Sequence, residues 1–169
     1  MKKILLLLIS LAMFLNADYI KGTELSSASF GFGGVKLDNG RGTALMSEAD
    51  FNLLLLLNVK EKYKGVGLGI GFDATRIVQN SRKNTLSEDI GALGIEIKTG
   101  YTLKEKYNIP VYMRIGVGLN YELNNSDIKI QSSADINWQI VKKITIGYKY
   151  KVIGNFEQKA NLFYISTTF

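Results

Sequence analysis

Six carboxylates (Glu48, Asp50, Asp73, Glu96, Glu122 and Asp135) and five cations (Lys98, Arg114, Lys129, Lys149 and Lys151) are the side chains of this sequence most able to do chemistry. Glu48 and Asp50 are two residues apart, which on an extended strand places both on one face. Paired carboxylates of this kind serve glycoside hydrolysis. The five cations share the same phase along the chain, so a plainer reading competes: acids and bases neutralising one another in a confined space, where an unpaired charge would be costly. Other chemistries are excluded by composition. The 169 residues contain no His and no Cys, which removes disulfides, thiolate and imidazole metal sites, and Ser-His or Cys-His nucleophilic pairs. No catalytic residue, metal site or cofactor is assigned.

A second motif invites a nucleotide-binding reading. Gly65, Gly67, Gly69 and Gly71 alternate with Val66, Leu68 and Ile70, but a dinucleotide loop needs a glycine where Ile70 stands. A strict period of two belongs to a strand, with the small residues leaving room for long neighbours on the same face.

The elements that must position these groups are strands. Period-two alternation recurs in eight segments, at roughly 24–35, 44–59, 65–77, 90–103, 110–123, 127–140, 143–153 and 160–169. One face of each is apolar, as in Val111, Met113, Ile115, Val117, Leu119 and Tyr121 of the fifth, and none of these apolar-face positions is charged. The opposite face holds all eleven charged residues. In Leu53 to Leu57, Asn52 and Asn58 set the polar phase and place Leu54 and Leu56 at the end of that face. A soluble sandwich or a soluble lipocalin-like barrel also permits this pattern. Strands of ten or more residues exceed the usual five or six of soluble sheets and match the tilted nine to eleven that cross a bilayer. In lipid no open edge is tolerated, so the strands must close into a barrel, apolar face outward.

The first seventeen residues support export. Lys2 and Lys3 precede an apolar stretch from Ile4 to Leu15 broken only by Ser10, and Asn16-Ala17 ends it before Asp18. This is the pattern of a cleavable signal peptide cut after Ala17; about a dozen apolar residues are too few for a spanning anchor. Residues 1–17 are therefore read as signal and 18–169 as one barrel domain. Removing Lys2 and Lys3 lowers the net charge from +6 to +4, which weakens a nucleic-acid reading.

With both ends of the barrel domain in the periplasm, the outer connections centre on Asp38-Asn39-Gly40, 78–89, Asn124-Asn125-Ser126 and 155–159, and the inner ones on 60–64, 104–108 and Val141-Lys142. Lys-Glu-Lys-Tyr occurs at 60–63 and again at 104–107, one hairpin apart, which points to repeated hairpin units. Two interfacial aromatic girdles are expected: Tyr101, Trp138 and Phe169 near the inner side, and Phe32, Phe72, Tyr121, Tyr150 and Phe163 near the outer.

The signal, the eight amphipathic strands and a last segment ending in Phe169, with Phe163 and Ile165 on its apolar face, resemble the small eight-stranded outer-membrane barrels of Gram-negative bacteria. That group includes the transmembrane domain of outer membrane protein A and the opacity and attachment proteins. The resemblance covers residues 18–169 and rests on pattern rather than on a unique motif. It implies an all-β, eight-stranded antiparallel up-and-down transmembrane β-barrel in the cell outer membrane. It also implies that Phe163, Ile165 and Phe169 are read by the barrel assembly machinery during insertion. Outer connections here are shorter than those of typical adhesins.

The expected partners are outer-membrane lipids and the assembly machinery, with no nucleic acid; the barrel is expected to be a monomer, and no surface ligand is named. A structural or surface-interaction role with a lumen filled by charged side chains is the leading reading. A small porin-like channel is the alternative, and an outer-membrane lipid enzyme comes last, because the histidine that such an enzyme uses as a base is missing.

Overall fold

A computed structural model describes residues 19–20, 26–37, 42–57, 65–79, 88–154 and 157–168. The proposed signal peptide, the connections at 38–41, 58–64 and 80–87, and Phe169 lie outside the described residues. After a two-residue strand β1 (Tyr19–Ile20) come eight long strands: β2 (Ser27–Leu37), β3 (Gly42–Leu57), β4 (Val66–Gln79), β5 (Glu88–Thr102), β6 (Val111–Glu122), β7 (Asp127–Val141), β8 (Ile144–Ile153) and β9 (Gln158–Thr168). Each is antiparallel to its chain neighbour, and β2 pairs with β9. The sheet therefore closes on itself as an eight-stranded up-and-down barrel, and its strands overlap all eight alternating segments of the sequence to within a few residues at each end. The short β1 adds to the end of β3, with Tyr19 opposite Leu57, and has no counterpart in the sequence reading.

The register sets the shape. Ser27 pairs with Asn52, Asn52 with Gly71, Gly71 with Glu96, Glu96 with Gly118, Gly118 with Gln131, Gln131 with Ile153, Ile153 with Gln158, and Gln158 with Leu37. One circuit thus returns to β2 ten residues beyond its start. With a rise of about 3.3 Å per residue and strands about 4.8 Å apart, that stagger tilts eight strands by about 40°. An 11-residue strand such as β2 then rises roughly 28 Å along the barrel axis, enough to cover an apolar band about 25 Å tall.

In the middle of the strands no described charged side chain points outward. Ile97, Ile115, Val117, Leu119 and Ile130 point outward and are exposed. Among the described residues, the outward charges are Lys36, Arg76, Asp89 and Lys159, all at strand ends away from the chain termini. Arg76 on β4 and Asp89 on β5 form an ion pair of 2.6 Å there. Two outward polar contacts link neighbouring strands: Thr99 Oγ1 donates to the Gly67 carbonyl at 3.1 Å, and the Tyr148 hydroxyl donates to Asn161.

Alternation makes one rim carry the start of β2, the end of β9 and the β3–β4, β5–β6 and β7–β8 connections; it is called the terminal rim below, and the opposite one the far rim. The β5–β6 connection contains a single helical turn, α1 (Lys104–Tyr107), closed by Asn108 in the left-handed conformation with its N–H on the Lys104 carbonyl. One copy of the repeated tetrapeptide is thus a helical turn, and the other lies outside the described residues. Trp138 and Tyr101 fall near the terminal rim, and Tyr121 and Tyr150 toward the far rim. Phe32, Phe72 and Phe163, expected in the outer girdle, instead stand near the middle of β2, β4 and β9, because these strands continue several residues past them.

Candidate functional site

Among the described residues, the lumen is where chemistry-bearing side chains converge. Period two brings every second residue of each strand inward, and the ten-residue stagger interleaves the levels contributed by neighbouring strands. Space is made by glycine at defined points. A Cβ on Gly94 would lie 2.3 Å from Asp73 Oδ2, one on Gly71 2.6 Å from Lys98 Cε, and one on Gly116 2.8 Å from Glu96 Oε2. Gly71 belongs to the alternating glycine run, so part of that run clears volume for a lysine across the strand.

Near the terminal rim the lumen is closed by Leu54, Leu56 and Tyr112, all buried. The Tyr112 hydroxyl donates to Thr145 Oγ1 at 3.0 Å, and Thr145 bonds Ser166. At the next level Arg114 is 1% exposed. Its Nε lies 2.9 Å from Asp135 Oδ1, its Nη1 2.6 Å from Ser27 Oγ and its Nη2 3.4 Å from the Tyr164 hydroxyl. Asn137 steadies the same carboxylate, Nδ2 to Asp135 Oδ1 at 2.5 Å.

The centre is a chain of ion pairs from one wall to another. Lys98 Nζ lies 2.6 Å from Asn52 Oδ1, 3.1 Å from Glu96 Oε2 and 3.6 Å from Asp50 Oδ1. Lys149 joins Asp50 to Glu48, 2.6 Å from Glu48 Oε1. Lys151 joins Glu48 Oε2 at 2.7 Å to Asp73 Oδ1 at 2.5 Å. Neutral side chains complete it. Gln131 Nε2 donates to Asp73 Oδ2 at 2.7 Å, Asn120 Nδ2 to Gln131 Oε1 at 3.0 Å, and the Ser133 hydroxyl to Glu96 Oε2 at 2.8 Å. All these groups are buried.

Toward the far rim the filling divides. On the β2, β3, β4, β8 and β9 side it is apolar, with Val35, Leu37, Ala44, Met46, Ile77, Ile153, Ala160 and Leu162 in one cluster. On the other side Glu122 accepts from Gln158 Nε2 at 3.0 Å and pairs with Lys129 at 3.0 Å, while Lys129 also reaches Glu157 at 3.1 Å.

The structure therefore places Glu48, Asp50, Asp73, Glu96, Lys98, Arg114, Asp135, Lys149 and Lys151 in the buried middle of the lumen, and Glu122 and Lys129 in a separate, partly open pairing. Phe163 and Ile165 point outward on β9 and are exposed. Sequence reasoning did not single out Ser27, Asn52, Tyr112, Gln131 and Tyr164 as parts of the network. Their phase was the only signal available, and a neutral side chain of the right phase is not distinguished from a filler until its partner across the lumen is known.

Acid–base chemistry finds little support in this arrangement. Glu48 and Asp50 do share a face, but the Lys149 ammonium lies between their carboxylates, and Lys151 holds the other oxygen of Glu48. A general acid and base need access to a substrate and a water; these groups are enclosed and engaged with one another. Among the described residues no cluster of acidic side chains has the arrangement of a metal site.

No family model matches the chain, and neither does any curated protein. Solved structures do. The outer membrane enzyme PagL superposes with a TM-score of 0.58 at 9% identity, over 85% of this chain and 100% of that one. A de novo designed transmembrane β-barrel gives 0.53 at 9% identity, over 88% and 99%. The attachment invasion locus protein Ail of Yersinia pestis, in complex with the heparin analogue sucrose octasulfate, gives 0.52 at 12% identity, over 85% and 96%. The fold is that of the small transmembrane β-barrels of outer membranes, as the alternation in the sequence implied.

Proposed function

We propose that the chain is an outer-membrane barrel with a structural or surface-interaction role, whose lumen is sealed by its own side chains and does not conduct. The observation that carries this reading is the continuous ion-pair chain across the middle of the lumen, from Lys98 through Asp50, Lys149, Glu48 and Lys151 to Asp73. It is backed toward the terminal rim by Leu54, Leu56 and Tyr112 and toward the far rim by the apolar cluster of β2, β3, β4, β8 and β9 beside the Glu122–Lys129 pair. An eight-stranded barrel has an interior just wide enough for side chains to fill. The outward apolar band and the fold shared with outer-membrane barrels support residence in that membrane. Cleavage after Ala17, insertion guided by Phe163, Ile165 and Phe169, and a monomeric state belong to the same proposal.

PagL is an outer-membrane enzyme, yet an enzymatic role for this chain is disfavoured, because the sequence lacks histidine and the paired acids are engaged with lysines. Ail binds a sulfated sugar analogue, and a surface role fits the same fold. Solute exchange tests the reading. Liposomes containing the refolded protein should retain potassium salts and small sugars as protein-free liposomes do. Rapid, size-dependent swelling would overturn it in favour of the channel.

A further inference from the structure

The two rims differ in how their charges are arranged. At the far rim Arg76 pairs with Asp89, and Lys129 with Glu122 and Glu157, while Lys36 and Lys159 face each other across β2 and β9, away from the groove described below. At the terminal rim Lys106, Lys142 and Lys143 are exposed, and none of the three forms an ion pair with a described acid. Lys142 and Lys143 make up the whole two-residue turn between β7 and β8. Such turns favour Asn-Gly, because they need left-handed backbone. Lys143 nevertheless has a φ of 74°, so one of the two adjacent cations occupies a position where the backbone prefers glycine or asparagine.

Directly above that turn, on the outward face of β7, β8, β9 and β2, lies an apolar groove of about 680 Å³ lined by Trp138, Ile146, Ile136, Phe163, Ile165 and Phe30. Its lower end is the Trp138–Ile146 cross-strand pair. Ile146 is three residues from Lys143 along the chain, about 10 Å at a strand rise of about 3.3 Å per residue. Trp138 marks the interfacial level, where indole rings prefer to sit. The groove therefore runs up into the hydrocarbon layer, and the two lysines stand at the level of the headgroups beneath it.

We infer that this groove and the Lys142–Lys143 turn together form a binding site for an anionic glycerophospholipid of the leaflet facing the terminal rim, with an acyl chain along Ile146, Trp138 and Ile165 and the phosphate at the lysines. The inference rests on the membrane reading above. Charge decides the class of lipid: an unmatched pair of ammonium groups beside an anionic surface contributes about fivefold in affinity per lysine, whereas a zwitterionic headgroup offers no net charge. The apolar lining decides that the ligand is a lipid and not a free phosphate.

The test uses the full chain refolded into phosphatidylcholine vesicles, with acyl-spin-labelled phosphatidylglycerol or phosphatidylcholine as probe. Wild type should immobilise the phosphatidylglycerol probe at least tenfold more strongly, and 0.5 M salt should reduce that preference. Lys142→Gln/Lys143→Gln should abolish the preference while leaving the phosphatidylcholine signal intact. Lys36→Gln/Lys159→Gln at the far rim should leave it unchanged, and Ile146→Trp, which fills the groove, should weaken both probes. Equal immobilisation of the two probes by wild type, or a preference that survives Lys142→Gln/Lys143→Gln, would overturn the site. Soluble inorganic phosphate competing as well as the lipid would overturn the acyl contribution. A chain that never enters the vesicles contradicts the membrane reading and removes the inference with it; one that enters without discriminating overturns the inference alone.

Discussion

Arg114 on β6 and Ser27 on β2 meet across the full width of the barrel, Nη1 to Oγ at 2.6 Å. The two strands are four apart in a closed ring of eight, so no pair of strands is farther separated. One side chain with one hydroxyl partner is enough to span the lumen. The same guanidinium holds Asp135 on the neighbouring β7 and reaches the Tyr164 hydroxyl on β9, so Arg114 ties four strands together at one level.

Removing that tie should be costly. Arg114→Ala leaves the Asp135 carboxylate buried with no guanidinium, and breaking one side of a buried ion pair typically destabilises by about 3–5 kcal/mol. Arg114→Met combined with Asp135→Leu removes both charges and should cost much less than the single change. Urea titrations in lipid vesicles give both values, and adding Arg114→Met and Asp135→Leu singly closes a cycle whose non-additivity measures the pair.

The orientation of the wall predicts a depth-dependent penalty. Val117 lies in the middle of β6 and points outward, so Val117→Arg should destabilise by about 2–4 kcal/mol, whereas Leu45→Arg, on the outward face near the far rim, should change stability by less than about 1 kcal/mol. Equal effects at the two positions in a folding titration would mean that the outward face is not in lipid.

The glycines separate into those that make room and those that do not. Gly94→Ala forces a methyl group against Asp73 and Gln131, and overpacking of this kind costs about 1–3 kcal/mol. Gly34 points outward with nothing within 4 Å of an added Cβ. Gly34→Ala should therefore be neutral or stabilise by up to about 1 kcal/mol through the unfolded chain. Thermal melts in detergent micelles distinguish the two.

Lys143 carries a backbone conformation that glycine adopts freely. Lys143→Gly should raise stability by up to about 1 kcal/mol, since the left-handed region disfavours side chains by about that much. If the melting temperature falls instead, the lysine side chain contributes more to the hairpin than its backbone costs it.

Much of this architecture is legible in the sequence because a barrel wall between lipid and a packed lumen enforces period two along most of each strand, the register shift at 139–141 of β7 being an exception. Val111 to Glu122 alternates through all twelve residues, and the structure makes all twelve one strand, β6. Phase alone was enough to send Lys98, Lys149 and Lys151 inward. Phase does not give height or partner. Which lysine meets which acid depends on the ten-residue stagger, and the stagger arises from pairings such as Gln131 with Ile153 that no local pattern reveals. Glu122 and Lys129 share the phase of the central network, yet they fall a level away from it for that reason. Arg76 has the outward phase and Asp89 falls in the connection expected at 78–89, whereas β5 already starts at Glu88; both point outward and pair with each other at the rim. The apolar cluster around Met46 and Leu162 was hidden for the opposite reason, since hydrophobic residues on the polar phase look like noise until the lumen is seen to need filling.

The central claim is that side chains seal the lumen, and single-channel recording in planar bilayers tests it most directly. Wild type should show no steady current above the protein-free membrane under an applied potential, and Lys149→Ala, which removes the link between Asp50 and Glu48, should at most add brief, irregular openings. A stable wild-type conductance whose ion preference shifts when Lys149 or Arg114 is neutralised would contradict the account, and would make the inward charges the lining of a pore.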